Sequence, residues 1–575
     1  MSVSAWLSAL KTKWAVFRSD NRLVVIALAA FVGVCSGLAA VALNRSLNWA
    51  GELLHILHHH WWAFLLPGVG ATLSLLFLNT ILKERAGHGV PEVVYAVSRR
   101  GGLLRLRSSY SRLIASLLTI GSGGSAGPEA PVVMSGASLG SNIAKMFGLK
   151  ERQRITLVGC GAAGAIGAIF NAPLAGLVFT VEVVLGEWKA FNIVPIAIAA
   201  VAGTEISRLL QGNQIAFEHH LFHIGLADIG ASFGIVIFAT FVSVFMGRLL
   251  RSMHRIAKKT PFPPWFRPAV GGVAVGLVGM VLPLVLGEGY HSVRDMIAGM
   301  FTTGLGFAAL AVLAKVLATA LTLGWGGSGG IFAPALMVGS LVGLVYYRML
   351  VLVVPAAALT NEGCYALLGM AGLISGILQA PMTGIFLIVE ITGSYEVILP
   401  LIIVSTLTST FCHYIESGSY YLRDLIEQGQ YLRPGTDARV LSDMTVAELV
   451  DSDRLVIPGD MLLKDFIEEI KYSHQYTFPV IDRHTSHYLG IVFLDRVRPY
   501  LFDMQMHNVL IVEQIMETNV PTVKPDDDLA EVLNRMEEIG VYILPVVENR
   551  HFVGMLAKAT LLDHYRKELI VQTGI

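Results

Sequence analysis

The stretch Asn171–Glu182, NAPLAGLVFTVE, returns as Gln379–Glu390, QAPMTGIFLIVE, 208 residues further on. Upstream, Ala130–Gly140, APVVMSGASLG, returns as Ala333–Gly343, APALMVGSLVG, after 203 residues. Two anchors in one order at nearly one offset mark a duplication, with halves near residues 23–215 and 228–425. Each half is rich in charge-free runs: Leu23–Leu43 and Ile155–Val181 in the first, Pro268–Gly287 and Gly363–Val389 in the second. About 20 such residues cross the hydrocarbon of a bilayer. The doubled part is therefore expected to be an all-α polytopic membrane domain, and a hydrophobic share of 54% against 15% charged fits that class.

The first run starts too far into the chain, and is too long, for a cleaved signal peptide. Lys11, Lys13, Arg18 and Arg22 precede it against Asp20, which puts residues 1–22, an N-terminal arm, in the cytoplasm. Net charge is zero but unevenly spread. From Asp437 onward 23 acids face 13 bases, while the residues before it hold 19 acids and 29 bases. A basic membrane part is joined to an acidic soluble tail. Loop lysines and arginines, or an anionic solute, each account for that basic excess.

Cys35, Cys160, Cys364 and Cys412 sit in apolar segments without a close pair and read as small buried hydrophobes. His58-His59-His60 suggests a metal, but adjacent helical positions do not face one another. With Trp61 and Trp62 behind them they read as an interfacial cluster, and no metal is expected.

The duplicated segments also break in the same place. Gly124-Ser-Ala-Gly-Pro-Glu-Ala-Pro131 corresponds to Gly327-Ser-Gly-Gly-Ile-Phe-Ala-Pro334. Behind each break a helix restarts with G-x-x-x-G, at Gly136/Gly140 and Gly339/Gly343, the pattern of close helix packing in membranes. A restarting helix presents unpaired N–H groups and about half a positive charge. Irregular backbone at membrane depth survives only inside protein or along a polar cavity. Matched breaks in two repeats are the sequence mark of a transporter's substrate site. Two such N-termini aimed at one point would hold an anion without any lysine or arginine. Glu129 is the lone acid of the first break, and an intramembrane acid is costly enough to imply a function.

The same glycines spell G-x-S-x-G at Gly123–Gly127 and again at Gly326–Gly330. The pattern comes with the repeat. The hydrolase motif needs a strand–turn–helix setting with a supporting His and Asp, so a serine enzyme is not expected.

At these residues the sequence resembles the CLC family of chloride channels and chloride/proton antiporters, across most of residues 20–430. Gly87-His-Gly-Val-Pro91 stands where that family has G-S-G-I-P, and Gly127-Pro-Glu-Ala-Pro131 where it has G-R-E-G-P. Gly330-Ile-Phe-Ala-Pro334 is the family's G-I-F-A-P. Tyr421 fits the pore tyrosine, with Tyr420 taking that place if the register slips by one. The resemblance implies two inverted repeats, a homodimer with one pathway per subunit in a lipid bilayer, and chloride as the transported ion. It implies that the backbone N–H groups of Ile331 and Phe332, the Tyr421 hydroxyl and the residue at His88 hold the central anion. It makes Glu129 the gate, a tethered carboxylate that occupies an anion site and leaves when protonated or displaced; a helix cap is the plainer alternative.

Three departures bear on mechanism. His88 replaces an anion-coordinating serine, with an imidazole that can donate to an anion and titrates near neutral pH, or else points elsewhere. Pro128 replaces an arginine and removes a backbone N–H. Val183 stands where exchangers of the family often carry the inner proton acid, and it cannot accept a proton. Glu182, just before it, is read as a proton acid or as a structural acid at a helix end, the latter favoured because it recurs as Glu390. A gated chloride channel is the first expectation and a chloride/proton antiporter the second. A cation transporter would need an intramembrane cluster of acids that the sequence lacks.

After a linker at residues 426–441 the composition becomes soluble and repeats again. Phe478-Pro-Val-Ile with Tyr488-Leu-Gly-Ile-Val492 answers to Leu544-Pro-Val-Val with Phe552-Val-Gly-Met-Leu556. Each copy reads as a helix (Leu463–Lys471, Leu529–Ile539), two short strands and another helix. This resembles an α/β pair of CBS domains, at residues 442–505 and 506–575, lying in the cytoplasm. The resemblance implies an adenine nucleotide held through an Asp after the second strand. Asp495 stands one residue early and Thr560 takes the place in the second copy, so bracing or regulation is favoured over that cofactor. No nucleic-acid partner is expected.

Overall fold

Among the described residues, eight helices in the first half of the membrane part answer one to one to eight in the second. They are α1 (Asn21–Leu57), α2 (Leu66–Leu76), α3 (Val90–Arg99), α4 (Ser108–Gly121), α5 (Glu129–Met146), α6 (Glu151–Phe170), α7 (Pro173–Phe179) and α8 (Ala190–Gln211). Their counterparts are α9 (Leu226–Lys259), α10 (Arg267–Val281), α11 (Tyr290–Ile297), α12 (Leu305–Gly324), α13 (Phe332–Leu350), α14 (Glu362–Leu378), α15 (Pro381–Thr392) and α16 (Ile398–Ile415), followed by α17 (Tyr420–Glu427). The computed structural model describes residues 21–57, 60–84, 89–212, 217, 222–428, 431 and 444–573, and the chain falls into two units, 1–431 and 432–575. His58, His59, His88, the N-terminal arm up to residue 20 and most of the linker lie outside the described residues.

The duplication extends to single dihedral angles. Gly123 and Gly326, in the two breaks, have φ of 99° and 107°; Asn171 and Gln379, ending α6 and α14, have 54° and 52°. Gly89 and Gly289, just before α3 and α11, have 78° and 90°. The first half holds one residue more between Asn171 and Gly186 than the second holds between Gln379 and Gly393. That surplus is absorbed as a π turn, Thr180–Leu185, while α15 stays regular.

Small residues set the helix spacing. A Cβ on Gly136 would run into Gly161 O, and one on Gly140 into Leu157 O, so α5 and α6 pack backbone to backbone. Gly339 against Gly369 O and Gly343 against Tyr365 O do the same for α13 and α14. Alongside α4, α5 runs back antiparallel: Ser138 Oγ donates to Arg105 O at 2.5 Å and Ser141 Oγ to Gly102 O at 2.6 Å. The first break is thus the tip of a helical hairpin. Large apolar side chains left exposed, such as Phe31, Phe233, Ile237, Phe241, Leu313 and Leu399, stud the long helices and form the face a bilayer would cover. Among the described residues eight helical segments are long and apolar enough to span one. Cys160, Cys364 and Cys412 are buried, Cys35 is half-buried, and all four are free thiols.

In the second unit β1 (Ile457–Pro458) pairs parallel with β2 (Thr477–Ile481), which pairs antiparallel with β3 (Tyr488–Phe493). The other copy has the hairpin β4 (Ile543–Glu548) and β5 (His551–Ala557), its parallel neighbour reduced to a bridge between Val523 and Val546. Helices α18 (Leu463–Ile470) and α20 (Leu529–Ile539) precede the hairpins; α19 (Leu494–Val497) and α21 (Lys558–Thr573) follow them. The register slips once in each hairpin, between Val480 and Ile481 and between Val546 and Val547. The copies meet where Tyr488 N–H donates to Arg550 O at 2.8 Å and the rings of Tyr488 and Phe552 stack.

Candidate functional site

The two breaks meet tip to tip. Gly127 and Gly330 exchange backbone hydrogen bonds in a single antiparallel bridge. Around it the halves brace each other reciprocally: Ser125 N–H donates to Thr322 Oγ1 at 3.0 Å, and Ser328 N–H to Thr119 Oγ1 at 3.1 Å. Such swapped pairs are what a two-fold axis between the halves requires. The Ser125 hydroxyl lies 3.0 Å from Thr319 Oγ1, so the partners of this G-x-S-x-G serine are threonines.

Glu129 opens α5 beside that bridge and is 2% exposed. Its Oε1 accepts a 2.5 Å hydrogen bond from Tyr290 Oη. Its own amide and that of Ala333, in the first turn of α13, face the same carboxylate, while Oε2 makes no direct hydrogen bond. A Cβ on Gly127 would occupy the place of Oε2, and one on Gly330 would crowd it at 3.3 Å. The carboxylate is therefore cradled by one glycine from each break, against the N-termini of two helices from opposite halves. That is a setting for a small anion.

Ile331 is the N-cap of α13 and Phe332 its first residue, where N–H groups have no acceptor within the helix. Phe332 packs its ring on Phe170 and Phe179, at centroid distances of 5.4 and 6.1 Å. Tyr421 is 2% exposed in the first turn of α17, close enough to Glu129 to be acted on by its charge. Tyr420 is only half-buried and lines a small cavity with Arg251 and Glu416, so of the two tyrosines Tyr421 is the one within electrostatic reach of Glu129. Pro128 stands immediately before α5, a place where a missing N–H does not break the helix.

Glu182 and Glu390 cap each other's halves. The Glu182 carboxylate accepts from Met382 N, Thr383 N and Thr383 Oγ1 at 2.7–3.1 Å, at the start of α15. Glu390 accepts from Leu174 N and Ala175 N at 3.0 and 2.7 Å, at the start of α7. Val183 is buried within the π turn. Beside it a cavity of about 390 Å³ is lined by Glu182, Val183, Gln379, Ser409, His413 and Ser419 among others.

Two expectations need correcting. Glu129 is not a lone acid in the membrane part: Glu288 lies close enough for the charge of Glu129 to act on it. A basic group is also near, for Lys315 is fully buried in α12. Its Nζ donates to Val285 O and Gly287 O, both at 2.9 Å, and its charge acts on Glu288. The sequence carried a signal for each. Lys315 is the only charge in Leu305–Gly324. Glu288 and Tyr290 belong to Gly287-Glu-Gly-Tyr290, the repeat partner of Gly87-His-Gly-Val90, an alignment visible only once α3 and α11 are matched.

In the tail Asp495 is exposed on α19, 3.3 Å from Arg498, and Thr560 is half-buried in α21.

A chain whose two halves interlock by swapped contacts around a broken-helix junction, with apolar faces turned outward, is an integral membrane protein of two inverted repeats. It belongs to the CLC family: residues 70–413 match the family described as voltage gated chloride channel, and residues 512–567 match the CBS domain. A protein of Ralstonia nicotianae named as a ClcB-like chloride channel is 31% identical over 417 residues, 70% of this chain and 96% of that one. The H(+)/Cl(-) exchange transporter ClcA of Klebsiella pneumoniae is 29% identical over 411 residues, 67% of this chain and 85% of that one. The crystal structure of a eukaryotic CLC transporter matches with a TM-score of 0.63 at 17% identity, over 94% of this chain and 98% of that one, a likeness of fold.

Proposed function

We propose that this chain carries chloride across a bilayer through a path between the two breaks, gated by Glu129. The observation that carries the reading is the seat of the carboxylate: buried, cradled by Gly127 and Gly330, and set against helix N-termini from both halves. A carboxylate held so stands in for an anion, and protonation or a competing chloride would release it. In this reading the Ile331 and Phe332 amides, the Tyr421 hydroxyl and His88 hold the central ion. The protein works as a homodimer with one path per subunit, its N-terminus and CBS pair in the cytoplasm.

Passive, gated conduction is the mode the residues favour. Val183 offers no proton acceptor, and both oxygens of Glu182 are occupied as a helix cap. A second reading, chloride/proton exchange, draws on the Klebsiella relative's name and on the cavity that Glu182 borders. Reversal potentials across opposed chloride and pH gradients in proteoliposomes separate the two. A potential that follows chloride alone supports conduction; one that follows protons supports exchange; absence of chloride flux overturns both.

A further inference from the structure

We propose that the Tyr290 hydroxyl is a ligand of the transported anion, at the seat Glu129 fills when the gate is shut. The inference rests on the anion-path reading above and adds a residue to it. A hydroxyl that donates to a carboxylate oxygen at 2.5 Å will donate to a small anion put in the same place.

Tyr290 also answers a deficit. Pro128, immediately before the gate, has no N–H to offer an anion. The phenol supplies a donor to the seat from the other half of the molecule.

Its position repeats that of a binding loop. Gly287-Glu-Gly-Tyr290 is the counterpart of Gly87-His-Gly-Val90, each leading into a short helix, α11 or α3, through a glycine of positive φ. Gly123, in the first break, faces both Leu54, near the end of α1, and Leu286. The Tyr290 loop therefore lies on the membrane face opposite the start of α1, and it covers Glu129 from that side.

The loop and the ring that carry the hydroxyl are held by contacts that do not involve Glu129. Lys315 clamps Val285 O and Gly287 O, Gly287 N–H donates to Gly123 O at 3.3 Å, and Gly289 lies against Met337 with no room for a Cβ. The ring rests edge-on to Phe217 and Phe170, at centroid distances of 6.1 and 6.5 Å. When the carboxylate leaves, a fixed donor remains.

The test uses Glu129→Ala, which vacates the seat, with and without Tyr290→Phe, which keeps the ring. Crystals of the full chain soaked in bromide are read by anomalous scattering, and bromide affinity is read by calorimetry in detergent. In E129A two bromide peaks are expected, one within hydrogen-bond reach of Tyr290 Oη and one between the Ile331 and Phe332 amides and Tyr421. In the double variant the first peak disappears, the second stays, and affinity falls by roughly tenfold. An unchanged first peak would overturn the ligand role, as would loss of both peaks together, which marks general damage. No bromide at either position in E129A overturns the anion path itself.

Discussion

Gly127 N–H donates to Gly330 O at 2.8 Å, and Gly330 N–H returns a bond to Gly127 O at 2.7 Å. This exchange is the only main-chain bridge between the two broken hairpins among the described residues. It fixes where two helix N-termini point, so the electrostatic focus of the site is set by backbone geometry. Both residues are glycine for a spatial reason: a Cβ on Gly127 would overlap the Glu129 carboxylate, and one on Gly330 would press on Ala130 at 3.1 Å and on that carboxylate at 3.3 Å.

Gly127→Ala should therefore act as a gate mutation without touching Glu129. A methyl group at Gly127 overlaps the seat of Oε2 and also meets Ala333 Cβ at 3.0 Å. Displacing the carboxylate should raise chloride flux at neutral pH by roughly tenfold, as losing a 1–2 kcal/mol preference for the seated form would. Flux assays in proteoliposomes check it, and a flux at or below wild type counts against the seat.

Glu129→Gln should flatten the pH response. With Glu129 as the gate, falling pH should protonate the wild-type carboxylate, weaken its hold on the helix N-termini and raise flux. The amide has no charge to lose, so flux should persist and not change with pH. A variant that still responds to acid would place the sensor elsewhere.

The architecture was legible because the duplication repeats at the level of residues. Asn171 and Gln379, or Gly123 and Gly326, take the same dihedral angles because each half solves the same packing problem. Glu129 was legible because a charge in an apolar run stands out. The parts that Tyr290 and Lys315 play were not, for different reasons. A tyrosine between Gly289 and His291 in a polar loop is ordinary, and its partner 161 residues away is chosen by tertiary packing. Lys315 reads as an interior liability until the loop carbonyls it satisfies are seen. The roles of Glu182 and Glu390 were half visible: their recurrence suggested helix ends, but each caps a helix of the opposite half, which only folded coordinates reveal.

Removing those caps should cost stability in both halves and coupling in neither, if conduction is passive. Glu182→Ala takes the acceptor from three donors and Glu390→Ala from two, worth about 2–3 kcal/mol each. Thermal midpoints in detergent should fall for both, with reversal potentials unchanged. Should E182A alone shift the reversal potential, Glu182 carries protons and exchange is the mechanism.

Gly343 and Gly51 make a paired test of helix packing. A Cβ at Gly343 overlaps Tyr365 O, whereas one at Gly51 meets nothing within 4 Å. G343A should destabilise by about 2–3 kcal/mol through forced separation of α13 and α14. G51A should be neutral or stabilise by about 0.5–1 kcal/mol, the usual gain of Ala over Gly in a helix. Equal midpoints would deny the close approach.

Lys315→Met asks whether a buried cation serves the site by holding a loop. Methionine keeps the length and apolar volume of the side chain but leaves Val285 O and Gly287 O without their donor. An unmet buried acceptor costs about 1–3 kcal/mol, and the two together should lower the thermal midpoint clearly. The more specific consequence lies at residues 282–290, where amide hydrogen exchange should quicken while exchange in α5 and α13 stays slow. Because that loop carries Tyr290, the seat of Glu129 should loosen as well, and flux at neutral pH should rise. Loss of stability without faster exchange in the loop would mean that Lys315 supports α12 alone, and that Tyr290 is held in place by its aromatic neighbours.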